Sequence, residues 1–188
     1  GLGNVEILRG EFVQERVIGG TTGHGATLVE VGRVIHTGVG DTIIGEARGE
    51  ITPRLQEIGR VFDAAGIEST PTDNLSGALW GKAVINSAIN PTAAMTGLKN
   101  GELLKEPYLA GLLDSIARES AGVAAAEGVE LPYEDAPAQV RAVCEKTAPN
   151  INSMLADVRH RRPTEIGQIN GAIAEAAAKI GRPAPINS

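Results

Sequence analysis

The chain changes its hydrophobic rhythm once, near residue 73: before that point short apolar runs alternate with glycines, and beyond it apolar residues recur every three or four positions. Val5, Leu8 and Phe12 have helical spacing and predict a short helix within residues 1–12. From Arg16 to Glu46 the pattern is β-branched and punctuated by glycine. Val17-Ile18, Thr27 to Val31, Arg33 to His36 and Thr42 to Ile44 predict three or four short strands. Ile51, Leu55, Ile58 and Phe62 return to the helical period with Gly66 at a C-cap position, and Ile67 to Thr70 predicts one more strand, closed by Pro71. After Asp73, helices are expected over residues 74–90, 107–128, 135–145, 152–160 and 164–180. The last is the clearest, because Ile166, Ile169, Ile173, Ala177 and Ile180 form one apolar stripe. The expected organisation is an α/β piece, residues 1–72, followed by an all-α piece, residues 73–188.

Composition narrows the classes. The 188 residues are 42% apolar but only 3% aromatic, so any core is built from Ala, Val, Ile and Leu, and stacking platforms for bases are lacking. A formal charge of -6 argues against a nucleic-acid partner. The short basic run Arg159, His160, Arg161, Arg162 reads as a solvated helix end or loop. Cys144 is the one cysteine and cannot form an intrachain disulfide, and no stretch reaches the roughly 18 apolar residues of a membrane span. The expected compartment is cytoplasmic, with no membrane partner. The three histidines and the cysteine lack the short paired spacings of a metal site, and His24 and His36 read as turn or packing residues.

The informative stretch is Leu79 to Pro91, LWGKAVINSAINP, in which Lys82, Asn86 and Asn90 are four residues apart. On a helix each such step turns by about 40°, so the three polar groups climb about 12 Å along one face. Val84, Ile85, Ala88 and Ile89 fall on the other side. Asparagine is a poor helix former, and two beside one lysine suggest hydrogen-bonding capacity kept for a ligand. From spacing alone, a surface stripe or a pair of asparagines capping adjacent segments is the competing explanation.

The Lys-x3-Asn-x3-Asn-Pro string resembles the start of the helical domain of ketopantoate reductases. Asn100-Gly101-Glu102 looks like that family's NGEL string, Ser153-Met154-Leu155 with Asp157 like its SMLQD motif, and Thr164-Glu165-Ile166 with Ile169-Asn170-Gly171 like its TEID-x-ING. Nearer the start, Gly1-Leu2-Gly3-Asn4 is similar to the tail of its QNG-x-G string, Thr21 to Ala26 to its GTT-x-HGA turn, and Gly38 to Gly45 to its G-x-G-x-T-x-I-G segment. The resemblance implies a remnant of a Rossmann-type α/β domain followed by an all-α C-terminal domain of the 6-phosphogluconate-dehydrogenase-like kind. It implies an NADPH/NADP-dependent oxidoreductase that reduces 2-dehydropantoate to pantoate in pantothenate and coenzyme A biosynthesis. Lys82 would be the proton donor; Asn86, Asn90, Asn100 and Ser153, with Lys82, would contact the 2-keto acid. Glu165 would be a catalytic carboxylate at the junction of cofactor and substrate, and Ala26 a backbone contact to the cofactor. A homodimer is the implied assembly.

One departure stands out. The G-x-G-x-x-G fingerprint between a strand and a helix does not occur in the sequence, since Gly38, Gly40 and Gly45 have the wrong spacing. The expectation is a chain that begins partway through a nucleotide domain, inactive by itself and completed by an upstream segment of about 95 to 100 residues. Two other readings stay open: another 2-keto-acid or β-hydroxyacid dehydrogenase, and a non-catalytic helical dimerisation module. The chemistry also has an open sign, because Glu165 near Lys82 would raise the lysine pKa while burial would lower it.

Overall fold

The computed structural model describes residues 2–188. They form two compact units, Asn4–Leu79 and Trp80–Ser188, the latter joined by residues 2 and 3, and the division falls inside one long helix.

In the first unit, α1 (Asn4–Glu11) precedes strands β1 (Ile18–Thr22), β2 (Gly25–Glu30), β3 (Arg33–Gly38) and β4 (Thr42–Glu46), then α2 (Pro53–Ala64) and β5 (Ser69–Thr72). The sheet order is β1-β4-β5, with β1 antiparallel to β4 and β4 parallel to β5. Parallel neighbours need a crossover, and α2 supplies it, so β4-α2-β5 is the βαβ unit of a Rossmann-type sheet. The start of α2 follows from its residues: the Thr52 hydroxyl accepts from the Leu55 N–H at 3.1 Å, and Pro53 opens the first turn. Gly66 follows the helix with φ of 80°, as its C-cap position requires. β5 begins later than the apolar pattern suggests and includes Pro71, which is tolerated because β5 lies at the end of the strand order. Strands β2 and β3 pair with each other as a separate ribbon on which Leu28, Val29, Val34 and Ile35 are exposed.

The second unit is built around α3 (Leu75–Thr96), with α4 (Pro107–Ala126), α5 (Ala136–Lys146), α6 (Ser153–Arg159) and α7 (Ala172–Lys179). Its core gathers Val84, Ala88, Ile89 and Ala93 of α3 with Leu113, Ile116 and Ala117 of α4, and Val140 and Cys144 of α5. Side-chain caps open two of these helices, with Asp135 accepting from the Ala138 N–H and Asn152 from the Leu155 N–H. A bidentate Arg141–Asp114 pair, at 2.9 and 2.8 Å, ties α5 to α4 and holds the Asp114 carboxyl below its ordinary pKa. The basic run ends α6: Arg159 donates to the Gly97 carbonyl and Arg162 pairs with Asp157. Among the described residues no helix is long and apolar enough to cross a membrane.

Two helices differ from the sequence expectation. α3 runs through Pro91 to Thr96 instead of stopping near residue 90, because a proline removes only one donor while buried Ala88, Ile89 and Ala93 hold both sides of it in the core. The expected helix over 164–180 forms over 166–179, with a π-helical turn at Gly167–Gly171 that runs on directly into α7. Its stripe is correspondingly partial: Ile169, Ile173 and Ala177 are buried, whereas Ile166 and Ile180 are exposed.

Candidate active site

α3 presents the polar ladder in a setting that a solvated face would not give. Asn90 is only 6% exposed and Asn86 is half-buried, and among the described residues neither side chain has a hydrogen-bond partner. An amide at a largely buried position is usually bonded, which makes Asn90, and Asn86 one turn before it, candidates for holding a ligand. One turn earlier sits Lys82, an exposed residue whose ammonium is nonetheless surrounded closely enough for burial to lower its pKa below 10.5. The charge of Glu165 acts on it in the opposite direction and raises it, but burial is the larger effect. The structure thereby resolves the sign left open by sequence, and it brings Glu165 within electrostatic reach of Lys82.

Lys82 is placed by close packing of its neighbour. A Cβ on Gly81 would meet the Pro132 ring at 2.9 Å, and the Tyr133 hydroxyl donates to the Gly81 carbonyl at 2.8 Å. Any larger residue at position 81 would push the 132–133 segment off α3. Burial raises the Tyr133 phenol pKa, so it stays a neutral donor. Tyr133 is one of only two tyrosines, and a tyrosine in so aromatic-poor a chain is the signal that sequence reading passed over.

Asn100 and Ser153 form a second group. The Asn100 amide donates to Thr147 Oγ1 at 2.9 Å and its oxygen accepts from Asn152 Nδ2 at 3.2 Å. Asn152 caps α6, whose first residue is the exposed Ser153. Gly101 permits the approach, since a Cβ there would lie 2.4 Å from that of Ala148. Asn100 is therefore committed to protein bonds, leaving one N–H and one lone pair for anything else. Among the described residues no hydrogen bond joins Asn86 or Asn90 to Asn100 or Ser153.

In the N-terminal unit, Ala26 is exposed near the start of β2, its backbone opposite His36. His24 Nδ1 and His36 Nε2 are 2.9 Å apart and the rings stack, so the two histidines close the mouth of the ribbon against each other. Cys144 is buried in the helical core and its thiol is pushed up to about 11, chiefly by burial, which makes it a packing residue.

A parallel βαβ unit is thus followed along the chain by a helical unit whose first helix carries the lysine and the two asparagines. The chain belongs to the ketopantoate reductase family: the model for ketopantoate reductase PanE/ApbA C terminal matches residues 74–188, and that for ketopantoate reductase PanE/ApbA matches residues 1–49. It is 36% identical over its whole length to a 2-dehydropantoate 2-reductase of Archaeoglobus fulgidus, of which it covers 62%. Among solved structures, the whole chain superposes on 62% of a 2-dehydropantoate 2-reductase from Geobacter metallireducens GS-15, with a TM-score of 0.92 at 30% identity. It also superposes on 64% of a D-mandelate dehydrogenase in complex with NADH, with a TM-score of 0.93 at 25% identity. The chain thus spans about three fifths of the length of these relatives.

Proposed function

We propose that this chain forms the substrate-binding and proton-donating part of an NADPH-dependent 2-dehydropantoate reductase, giving pantoate on the route to pantothenate and coenzyme A. The observation that carries the proposal is a lysine with a lowered pKa one and two turns from two asparagines whose amides have no partner among the described residues. Asn86 and Asn90 can donate N–H groups to the carboxylate and hydroxyl oxygens of the acid without adding charge, and so fix its orientation. NADPH, when bound, supplies the hydride for the ketone carbon. As the C=O π bond opens and charge gathers on oxygen, Lys82 Nζ gives that oxygen a proton and afterwards regains one from water, to which the residue is open. Glu165 keeps the ammonium charged by offsetting part of the desolvation. Ser153 and the free valences of Asn100 are proposed as further contacts to the acid.

The cofactor fit is partial. The fingerprint that takes a pyrophosphate does not occur among these residues, whereas Ala26 and Glu165 are exposed within their own units and are each proposed to contact the nicotinamide end. A homodimer in the cytoplasm is proposed for the complete enzyme.

A second reading is favoured by the likeness to D-mandelate dehydrogenase, namely a reductase of a different 2-keto acid. Following NADPH oxidation by the full-length gene product with 2-dehydropantoate and with the keto acid of mandelate discriminates between them. A higher kcat/KM for 2-dehydropantoate is expected, and preference for the aromatic acid would replace the substrate assignment. Differential melting with NADPH and 2-dehydropantoate, singly and together, tests whether either binds at all.

A further inference from the structure

We propose that Asn170 is a positioning residue that supplies the hydrogen-bond donor Pro91 removes from α3, and so fixes the stretch of helix between Asn86 and Asn90. Pro91 lies inside α3. In an α-helix the carbonyl of residue 87 takes its hydrogen bond from the N–H of residue 91, and proline has none; its ring also crowds that same carbonyl. Ser87 is completely buried, so water cannot supply the missing donor. Asn170 Nδ2 does, donating to the Ser87 carbonyl at 3.0 Å from 83 residues away in sequence.

The orientation of the Asn170 amide is fixed by what surrounds it. Its other N–H goes to Asn187 Oδ1 at 3.0 Å, so a flipped amide would put its oxygen against two acceptors. Asn170 Oδ1 is buried and has no partner among the described residues. An unbonded acceptor in the core is unfavourable, and its presence shows that the two donors decide the residue's identity. Asn187 is held in turn by Glu119 and Ser120 of α4, and Ser120 Oγ meets Ser87 Oγ at 3.0 Å. Asn170 also sits in the π-helical turn that starts where the N–H groups of residues 168 and 169 bond the Glu165 carbonyl. One amide therefore joins the segment bearing Glu165 to the gap that Pro91 opens beside Asn86 and Asn90. Its effect on substrate rests on the reading that the ladder holds the keto acid; its coupling to Pro91 does not.

A double-mutant cycle tests both parts in the full-length gene product. Asn170→Leu keeps the branched shape of the side chain and removes both donors, while Pro91→Ala restores an N–H for the Ser87 carbonyl. Asn170→Leu is expected to lower Tm by several degrees and to raise KM for 2-dehydropantoate about tenfold, with kcat and the Kd for NADPH within about twofold. In the Pro91→Ala background the same substitution should lose less than half as much in each. Equal losses in the two backgrounds would overturn the coupling, and an unchanged KM beside a coupled Tm loss would overturn the positioning role. Should Asn170→Leu fail to fold, the double variant must fold, and its failure to do so while Pro91→Ala folds would overturn the proposal. If Asn86→Ala and Asn90→Ala leave the keto-acid KM unchanged, the ladder reading fails by itself, and the Tm cycle still decides whether Asn170 answers Pro91.

Discussion

Asn90 is only 6% exposed, and its amide has no hydrogen-bond partner among the described residues. Asn86→Ala and Asn90→Ala should each raise KM for the keto acid by an amount equivalent to roughly 1 to 3 kcal/mol, the range for leaving a buried group on the ligand unpaired. Steady-state kinetics with direct NADPH binding checks this, and loss of NADPH affinity with the keto acid untouched would place the ladder elsewhere. Lys82 and Glu165 give a pH prediction. Only protonated Lys82 can donate, so kcat/KM should fall as pH rises through its pKa, below 10.5 because burial lowers it. Glu165 raises that pKa, so Glu165→Gln should move the alkaline limb to lower pH. A shift to higher pH would mean the carboxylate does not act through the lysine. Because Glu165 acts on Lys82, Lys82→Ala combined with Glu165→Ala should slow turnover by less than the product of the single effects.

At the scale of elements, the helical unit depends on α4 and α5 being fixed to each other and to α3. Leu113 of α4 is fully buried, and Leu113→Ala should lower stability by about 2 to 5 kcal/mol, measured by chemical denaturation. The Arg141–Asp114 fork joins the same two helices. The folded pKa of Asp114 is depressed, first by the Arg141 hydrogen bonds, so its contribution is fully present above 3.8 and is lost as pH falls through the folded value. Asp114→Asn should therefore lower Tm at neutral pH and flatten its decline on the acid side. An Asp114→Asn protein whose Tm falls as steeply as the parent's below pH 4 would show that other carboxylates govern acid stability.

For the molecule as a whole, what sequence could show was local. The Gly66 end of α2, the starts of the helices near residues 135 and 152 and the lysine-asparagine ladder all follow from residues within a few positions of one another. What it could not show depends on partners distant in the chain. The Asn100 string suggested a ligand contact, and only the fold shows that Thr147 and Asn152 use half of its hydrogen-bonding capacity. A regular isoleucine stripe suggested a uniform α-helix at the end, and the π turn at Gly167–Gly171 within it was not legible. The sign of the Lys82 shift required the balance of burial against Glu165. Pro91 within an otherwise helical string was the legible hint that a carbonyl four residues earlier would need an outside donor.

Whether Lys82 delivers the proton to an acid held by α3 is decided by kcat of the Lys82→Ala variant in the full-length gene product, with NADPH and 2-dehydropantoate saturating and NADPH affinity measured separately. A loss in kcat of about 100-fold or more with NADPH still bound is expected, because both the proton and the charge opposite the forming alkoxide are removed. A Lys82→Ala enzyme with near-normal kcat would exclude Lys82 as the donor.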